Sequence, residues 1–357
     1  MSTDEQKNSI WGPRRQPRSG WEVLEESETV AEILAACEPS SHASISALRN
    51  YFVPAARSYF TLAAMTRRVQ LEESLRSNGL SRLYSMRALI EKKVLQELRA
   101  NSERLQVLKE ATKPSFFGKS KKQGVGVRYA LASCVPTNQC GGRCYAHDGR
   151  DRELLHIFRG VLNYFVGLVF ENSDEAKRDQ IIQLLDPAFN YAIKAANDDQ
   201  SAAAVDGYVR APRIRFSHVG EMTATPHFCN ALAAEIKRRD PKVQCVIYTR
   251  HPRAGMLDCN LFVVNFTLDG AGDARARYAP PKARIVNSAW DGLLHEGAEV
   301  NFLEHHVEKI VDSTGSGPVC PVTVNHKHSP SCDLARCQRC FLPTWLQKQK
   351  ISNSGPA

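Results

Sequence analysis

No apolar run in this chain approaches the ~20 residues that a membrane-spanning helix needs. The longest candidate, near Val161 to Phe170, is too short. The N-terminus, Met1-Ser-Thr-Asp-Glu-Gln-Lys-Asn-Ser, lacks the apolar core of a secretory signal, so a cytoplasmic protein without a membrane partner is expected. Internal repeats and low-complexity tracts are also missing. A fully paired disulfide framework is excluded, because eleven cysteines is an odd number. At 357 residues the chain needs no covalent staples to compensate for a small core. In a reducing compartment, clustered cysteines bind metal instead.

Two clusters are present. The first is Ser133-Cys134-Val-Pro-Thr-Asn-Gln-Cys140-Gly-Gly-Arg-Cys144-Tyr145-Ala146, three thiols within eleven residues. Three thiolates leave one coordination position open, which separates a reactive centre from a closed structural one. With His147 they could instead complete a closed Cys3His zinc site. The second cluster is Cys320, Cys332, Cys337 and Cys340, with His326 and His328 as substitutes for Cys320. Four thiols suit a structural zinc or an auxiliary iron–sulfur cluster, and Cys337-x2-Cys340 has knuckle-like spacing. The scattered Cys37, Cys229, Cys245 and Cys259 read as small buried apolar residues.

The net charge of +9 permits an anionic partner. Its excess lies early: residues 65–122 hold fourteen Lys and Arg against six Asp and Glu. Arg14, Arg15 and Arg18, beside Pro13 and Pro17, read as a disordered arm. Leu71, Leu75, Leu83, Met86, Leu89, Ile90, Val94, Leu98, Leu105 and Leu108 recur at helical steps, broken at Asn78-Gly79. These helices are expected to pack on the rest of the protein with their cations solvated, the rival use of that face being nucleic-acid contact. Lys113 to Gly126 reads as a linker.

From residue 125 strands alternate with helices. Strands are expected at Val125–Ser133, Arg213–Val219, Val243–Tyr248, Leu261–Thr267, Arg284–Val286 and Glu299–Leu303. Helices are expected at Leu154–Phe170 and Asp179–Ala196, and from Thr225-Pro226, with Thr225 as N-cap and Phe228, Leu232 and Ile236 on one face. This pattern implies an α/β fold with a parallel sheet, open or closed into a barrel, whose ligands sit at the C-terminal strand ends. The cysteine loop, Gly220-Glu221, Thr249-Arg250 and Asp269-Gly270 would all fall there. Taken singly, Glu221 reads as a surface carboxylate, Asp269 as a turn residue and His218 as a satisfied core histidine.

The order of Cys134, Cys140 and Cys144-Tyr145, then Val219-Gly220-Glu221, then Thr267-Leu268-Asp269-Gly270 resembles the radical S-adenosylmethionine enzymes. The likeness is greatest to divergent phage- and plasmid-borne members whose third cysteine begins Cys-Tyr-Ala, and it spans roughly residues 125–345. It implies a partial or full β/α barrel and a [4Fe–4S] cluster on the three cysteines. It also implies S-adenosylmethionine held by Gly220 and Glu221, with Thr249 and Asp269 lining the site, an electron donor, and an unidentified substrate. The cysteine gaps are wider here than the usual C-x3-C-x2-C, Tyr145 follows rather than precedes the last cysteine, and a single glycine precedes Glu221. Gly141-Gly142 supplies backbone freedom to bring Cys140 and Cys144 together. The expected organisation is a helical basic extension (1–122), a barrel (123–318) and a cysteine-rich tail (319–357). The alternative function is a zinc-binding, nucleic-acid-associated protein of mobile-element origin.

Overall fold

The structure, a computed structural model, describes residues 114–120, 124–137, 154–205, 211–270, 273–289 and 297–303. It also describes 140, 144, 146, 295 and ten residues between 87 and 99. The second cysteine cluster, His147, His326, His328, Gly141-Gly142, the Arg14 arm and the leucines outside 87–99 lie outside them.

Seven strands form one sheet in simple chain order. They are β1 (Phe117–Ser120), β2 (Gly124–Val127), β3 (Arg213–Phe216), β4 (Gln244–Thr249), β5 (Phe262–Leu268), β6 (Arg284–Ala289) and β7 (Val300–Leu303). β1 runs antiparallel to β2, and β2 to β7 are all parallel. The fold is thus α/β with a mostly parallel sheet. The chain passes from β2 to β3 through α1 (Leu154–Glu171), α2 (Glu175–Leu184) and α3 (Asp186–Val205). It passes from β3 to β4 through α4 (Pro226–Arg239). Shorter 3-10 turns, Pro252–Met256 and Ala274–Tyr278, lead into β5 and β6. The helix expected over Asp179–Ala196 is two helices. It breaks between Leu184 and Asp186, where Pro187 removes a backbone donor and suits a first turn.

The core lies between the sheet and its helices. Val125, Val127, Ile214, Phe216, Cys245, Ile247, Phe262 and Val264 meet Val161, Phe165, Phe189, Phe228, Leu232 and Ile236 there. Phe228, Leu232 and Ile236 recur every four residues, so one face of α4 is buried. Thr225 precedes α4, but its hydroxyl does not cap the helix. It lies 3.0 Å from the Tyr129 hydroxyl and 3.2 Å from the Met222 carbonyl, while Glu171 at the end of α1 accepts the Phe228 N–H at 3.1 Å. A carboxylate from a neighbouring helix thus satisfies an N–H the sequence assigns to Thr225.

Lys113–Gly126 is not a linker. It forms a 3-10 turn, Pro114–Phe116, and the hairpin strand β1. Phe116 and Phe117 are buried, and Phe116 packs edge-on against both Phe117 and Phe228. Two adjacent core aromatics outweigh the basic residues around them. Buried Asn163 of α1 ties the hairpin down, its amide donating to the Phe116 and Arg128 carbonyls at 2.9 and 3.0 Å. The boundary expected at 122/123 falls between β1 and β2, which pair with each other. The described residues of 87–99 are helical, and Ile90, Val94, Leu95 and Leu98 join the main core.

Candidate functional site at the strand ends

Because β2 to β5 are parallel, their C-terminal ends share one edge of the sheet, and the segments following them meet there. Beyond β2 the chain continues alongside β3: the His218 backbone N–H donates to the Val127 carbonyl and the Tyr129 backbone N–H to the Val219 carbonyl, both at 2.7 Å. Gly220 then turns at φ +73°, and a Cβ there would stand 2.5 Å from the Tyr129 carbonyl oxygen. Only glycine combines that backbone with that approach. The turn delivers Glu221 beside the cysteine loop.

Two hydroxyls flanking Cys134 lock the loop to the sheet. Ser133 Oγ accepts the Glu221 N–H at 2.7 Å and donates to the Ala130 carbonyl at 2.6 Å. Thr137 Oγ1 donates to Asp269, the residue directly after β5, and accepts the Cys140 N–H at 3.0 Å. From the other side, the 87–99 segment grips both ends of the loop. Glu91 accepts the Ala132 N–H at 2.8 Å, and Arg87 donates to the Ala146 carbonyl at 2.9 Å. The Arg87–Glu91 ion pair closes at 2.8 Å with both side chains buried.

The three cysteines sit close enough to feel one another's charge. Burial, then the charges of Glu221, Cys144 and Cys140, hold the Cys134 thiol well above its usual range. Burial, then Cys140, pushes Cys144 up to about 12. As free thiols Cys134 and Cys144 are therefore protonated, and binding a metal would release those protons. Among the described residues no three His, Cys, Asp or Glu side chains stand close enough to hold a single metal ion. A multi-iron cluster takes its thiolates at separate irons, so its ligands need not converge on one point. A thiol-only set of half-buried cysteines on one loop fits that chemistry.

Glu221 is buried, and its pKa is pushed up to about 7, first by burial, against the pull of Thr249, Thr223 and Arg250. Its Oε2 accepts the Arg250 N–H at 3.4 Å, and Oε1 has no hydrogen-bond partner. A buried carboxylate with an orphaned oxygen is suited to receive a cationic or hydrogen-bond-donating ligand group. Asp269 differs. Arg250 Nη1 donates to Oδ1 and Oδ2 at 2.9 and 3.2 Å, and Arg275 Nη2 to Oδ2 at 3.0 Å. With Thr137 also on Oδ2, this carboxylate is committed to holding the loop. Thr249 ends β4, and its hydroxyl accepts the His251 N–H at 3.0 Å.

The structure thus brings Cys134, Cys140, Cys144, Gly220, Glu221, Thr249 and Asp269 to one edge. Cys320, Cys332, Cys337 and Cys340 lie outside the described residues. Sequence reasoning missed Ser133, Thr137, Arg87, Glu91 and Arg275. The hydroxyls one residue before and three after Cys134 were the available signal, because short hydroxyl side chains bond nearby backbone. No known protein family matches the chain, and no curated protein or solved structure is similar to it.

Proposed function

We propose that the chain is a radical S-adenosylmethionine-like iron–sulfur protein built on a partial β/α barrel. The observation that carries this reading is the pair of hydrogen bonds Ser133–Glu221 and Thr137–Asp269. They fasten a three-cysteine loop to the ends of β3 and β5, where ligands of parallel α/β sheets bind. Six parallel strands in unbroken chain order support the barrel-like winding.

Cys134, Cys140 and Cys144 would hold a [4Fe–4S] cluster, leaving one iron for S-adenosylmethionine. Bound there, the cluster would supply the electron that cleaves S-adenosylmethionine and opens radical chemistry on a substrate. Glu221 would accept the cofactor's amino group on its unpartnered Oε1. Such a contact would draw its pKa down from about 7 toward the ordinary carboxylate range, since a nearby cation favours the charged form. Gly220 holds that carboxylate against the loop, and Asp269 with Arg250 fixes the loop's far side. Cys320, Cys332, Cys337 and Cys340 are proposed as a second, closed metal site.

The test is reductive cleavage of S-adenosylmethionine by anaerobically prepared protein given dithionite. Cleavage lost in both Cys144→Ala and Glu221→Gln supports the reading. A wild-type protein that carries a cluster yet neither binds nor cleaves the cofactor contradicts it.

A further inference from the structure

Strand side chains alternate between faces, so the residues between the core positions point away from the helices. On that second face lie Arg213 and Arg215 of β3, Tyr248 of β4, Asn265 of β5 and Arg284 of β6. The register fixes their sides, pairing Ile214 with Cys245, Phe216 with Ile247, and Asn265 with Arg284. The residues of β2 to β6 that face this way include three arginines and neither Asp nor Glu. Arginines on strand positions that carry no acids are a receptor for negative charge, except where an acid from outside those strands reaches them, as Glu299 reaches Arg284.

The arginines differ in their engagement. Arg284 is buried and held, Nη1 by Asn265 at 3.1 Å and Nε by Glu299 at 3.3 Å. Arg215 is half-buried and lies over the Tyr248 ring, 4.4 Å from its centroid. Its Nε is buried without an acceptor, and among the described residues no hydrogen bond or ion pair engages its guanidinium. Stacking fixes the plane of a guanidinium and leaves its edge, with its fork of donors, free for a bidentate acceptor. Directly across the ladder stands Gly126, paired with Arg215. The missing side chain is replaced by the His218 ring, whose Nε2 would be 2.4 Å from a Cβ on Gly126. Burial first, then Arg215 and Arg128, keep that imidazole neutral. The ring beside Arg215 therefore adds no second positive charge.

We propose that Arg215, laid on Tyr248 beside His218, binds the anionic group of a ligand on the face of the sheet turned away from α1 to α4, a phosphate or a carboxylate. A planar guanidinium edge matches either oxyanion. Arg215 is one residue from the C-terminal end of β3, and the turn that follows carries Glu221 to the cysteine loop. If the cluster reading holds, this anion belongs to the substrate. That attribution alone rests on that reading, since the anion site itself needs no metal.

The experiment is calorimetric titration of the full-length protein with inorganic phosphate and, separately, with acetate. Arg215→Met keeps the apolar stem and removes the charge. Tyr248→Leu removes the stacking platform while leaving Arg215 in place. Arg238→Met is the control, an exposed α4 arginine paired with Glu235. Saturable binding of one anion is expected, weakened at least ten-fold in Arg215→Met, several-fold in Tyr248→Leu, and unchanged in Arg238→Met. Saturation by phosphate alone or by acetate alone tells which oxyanion the site takes. Absence of saturable binding by both, or equal binding by wild type and folded Arg215→Met, overturns the proposal. So does unchanged binding in a folded Tyr248→Leu, should Arg215→Met fail to fold. Iron measured in the same preparations reports separately on the cluster, so failure of one reading is not mistaken for failure of the other.

Discussion

Fully buried Glu91 accepts the backbone N–H of Ala132 across forty-one residues of chain, at 2.8 Å. This bond makes the 87–99 segment a wall of the cysteine site. Removing one partner of a buried, hydrogen-bonded ion pair typically costs about 3–5 kcal/mol, because the other charge is left buried and uncompensated. Glu91→Ala is therefore expected to lower the urea unfolding free energy by about that amount, stranding Arg87 and the Ala132 N–H. Glu91→Gln keeps an acceptor and should cost visibly less. Equal losses for the two would show that the bond to Ala132 is not the relevant contact.

Gly220→Ala meets both a positive φ and a Cβ 2.5 Å from the Tyr129 carbonyl. Backbone conflict of this kind costs more than about 1 kcal/mol. A lower melting temperature is expected, with looser attachment of the cysteine loop read as faster alkylation of Cys134. Gly255→Ala, where a Cβ would meet nothing within 4 Å, is the neutral control.

Two buried groups set opposite pH dependences in overlapping windows. His251 Nδ1 accepts the Arg253 N–H at 3.1 Å, and burial first, then the Arg253 charge, push its pKa down to about 4. An unfolded imidazole titrates near 6.5. Between those values the unfolded chain binds a proton that the folded protein refuses. The His251 contribution is complete above about pH 6.5 and shrinks as pH falls toward 4. Glu221, with its pKa raised to about 7, behaves oppositely: the folded protein keeps a proton that the unfolded chain has lost, so stability falls as pH rises from about 4.5 toward 7. Urea midpoints between pH 4.5 and 7 should therefore gain a steeper rise with pH in Glu221→Gln. They should lose part of that rise in His251→Asn, which retains an acceptor without titrating. Unchanged slopes in both variants would contradict these assignments.

The basic early region makes a further prediction. Arg87 points inward, onto Glu91 and Ala146, rather than toward an external partner. Binding of duplex DNA through this region is therefore expected to be weak and abolished by moderate salt, as counterion release requires of loose phosphate contacts. Tight retention at physiological salt, lost with residues 1–86, would favour the nucleic-acid alternative.

The strand–helix alternation was legible because each buried strand is a short β-branched and aromatic run, such as Phe262–Leu268, and α4 repeats its apolar residues every four positions. The hairpin was not, because Phe116-Phe117 sits among lysines in the sequence, while in the structure the two rings turn inward and Lys119 stays exposed. The cysteine loop, Glu221 and Asp269 were legible as positions. The role of Asp269 was not, since nothing near it in sequence announces that Thr137, Arg250 and Arg275 converge on one carboxylate. The Arg87–Glu91 grip was hidden for a similar reason. An i, i+4 charged pair on a helix reads as a solvated surface pair until tertiary packing buries it.

Metal analysis of protein purified without oxygen tests the central claim most directly. The account predicts a brown protein with stoichiometric iron and acid-labile sulfide, and loss of one centre in Cys144→Ala while the sheet stays folded. Stoichiometric zinc with no iron would contradict it.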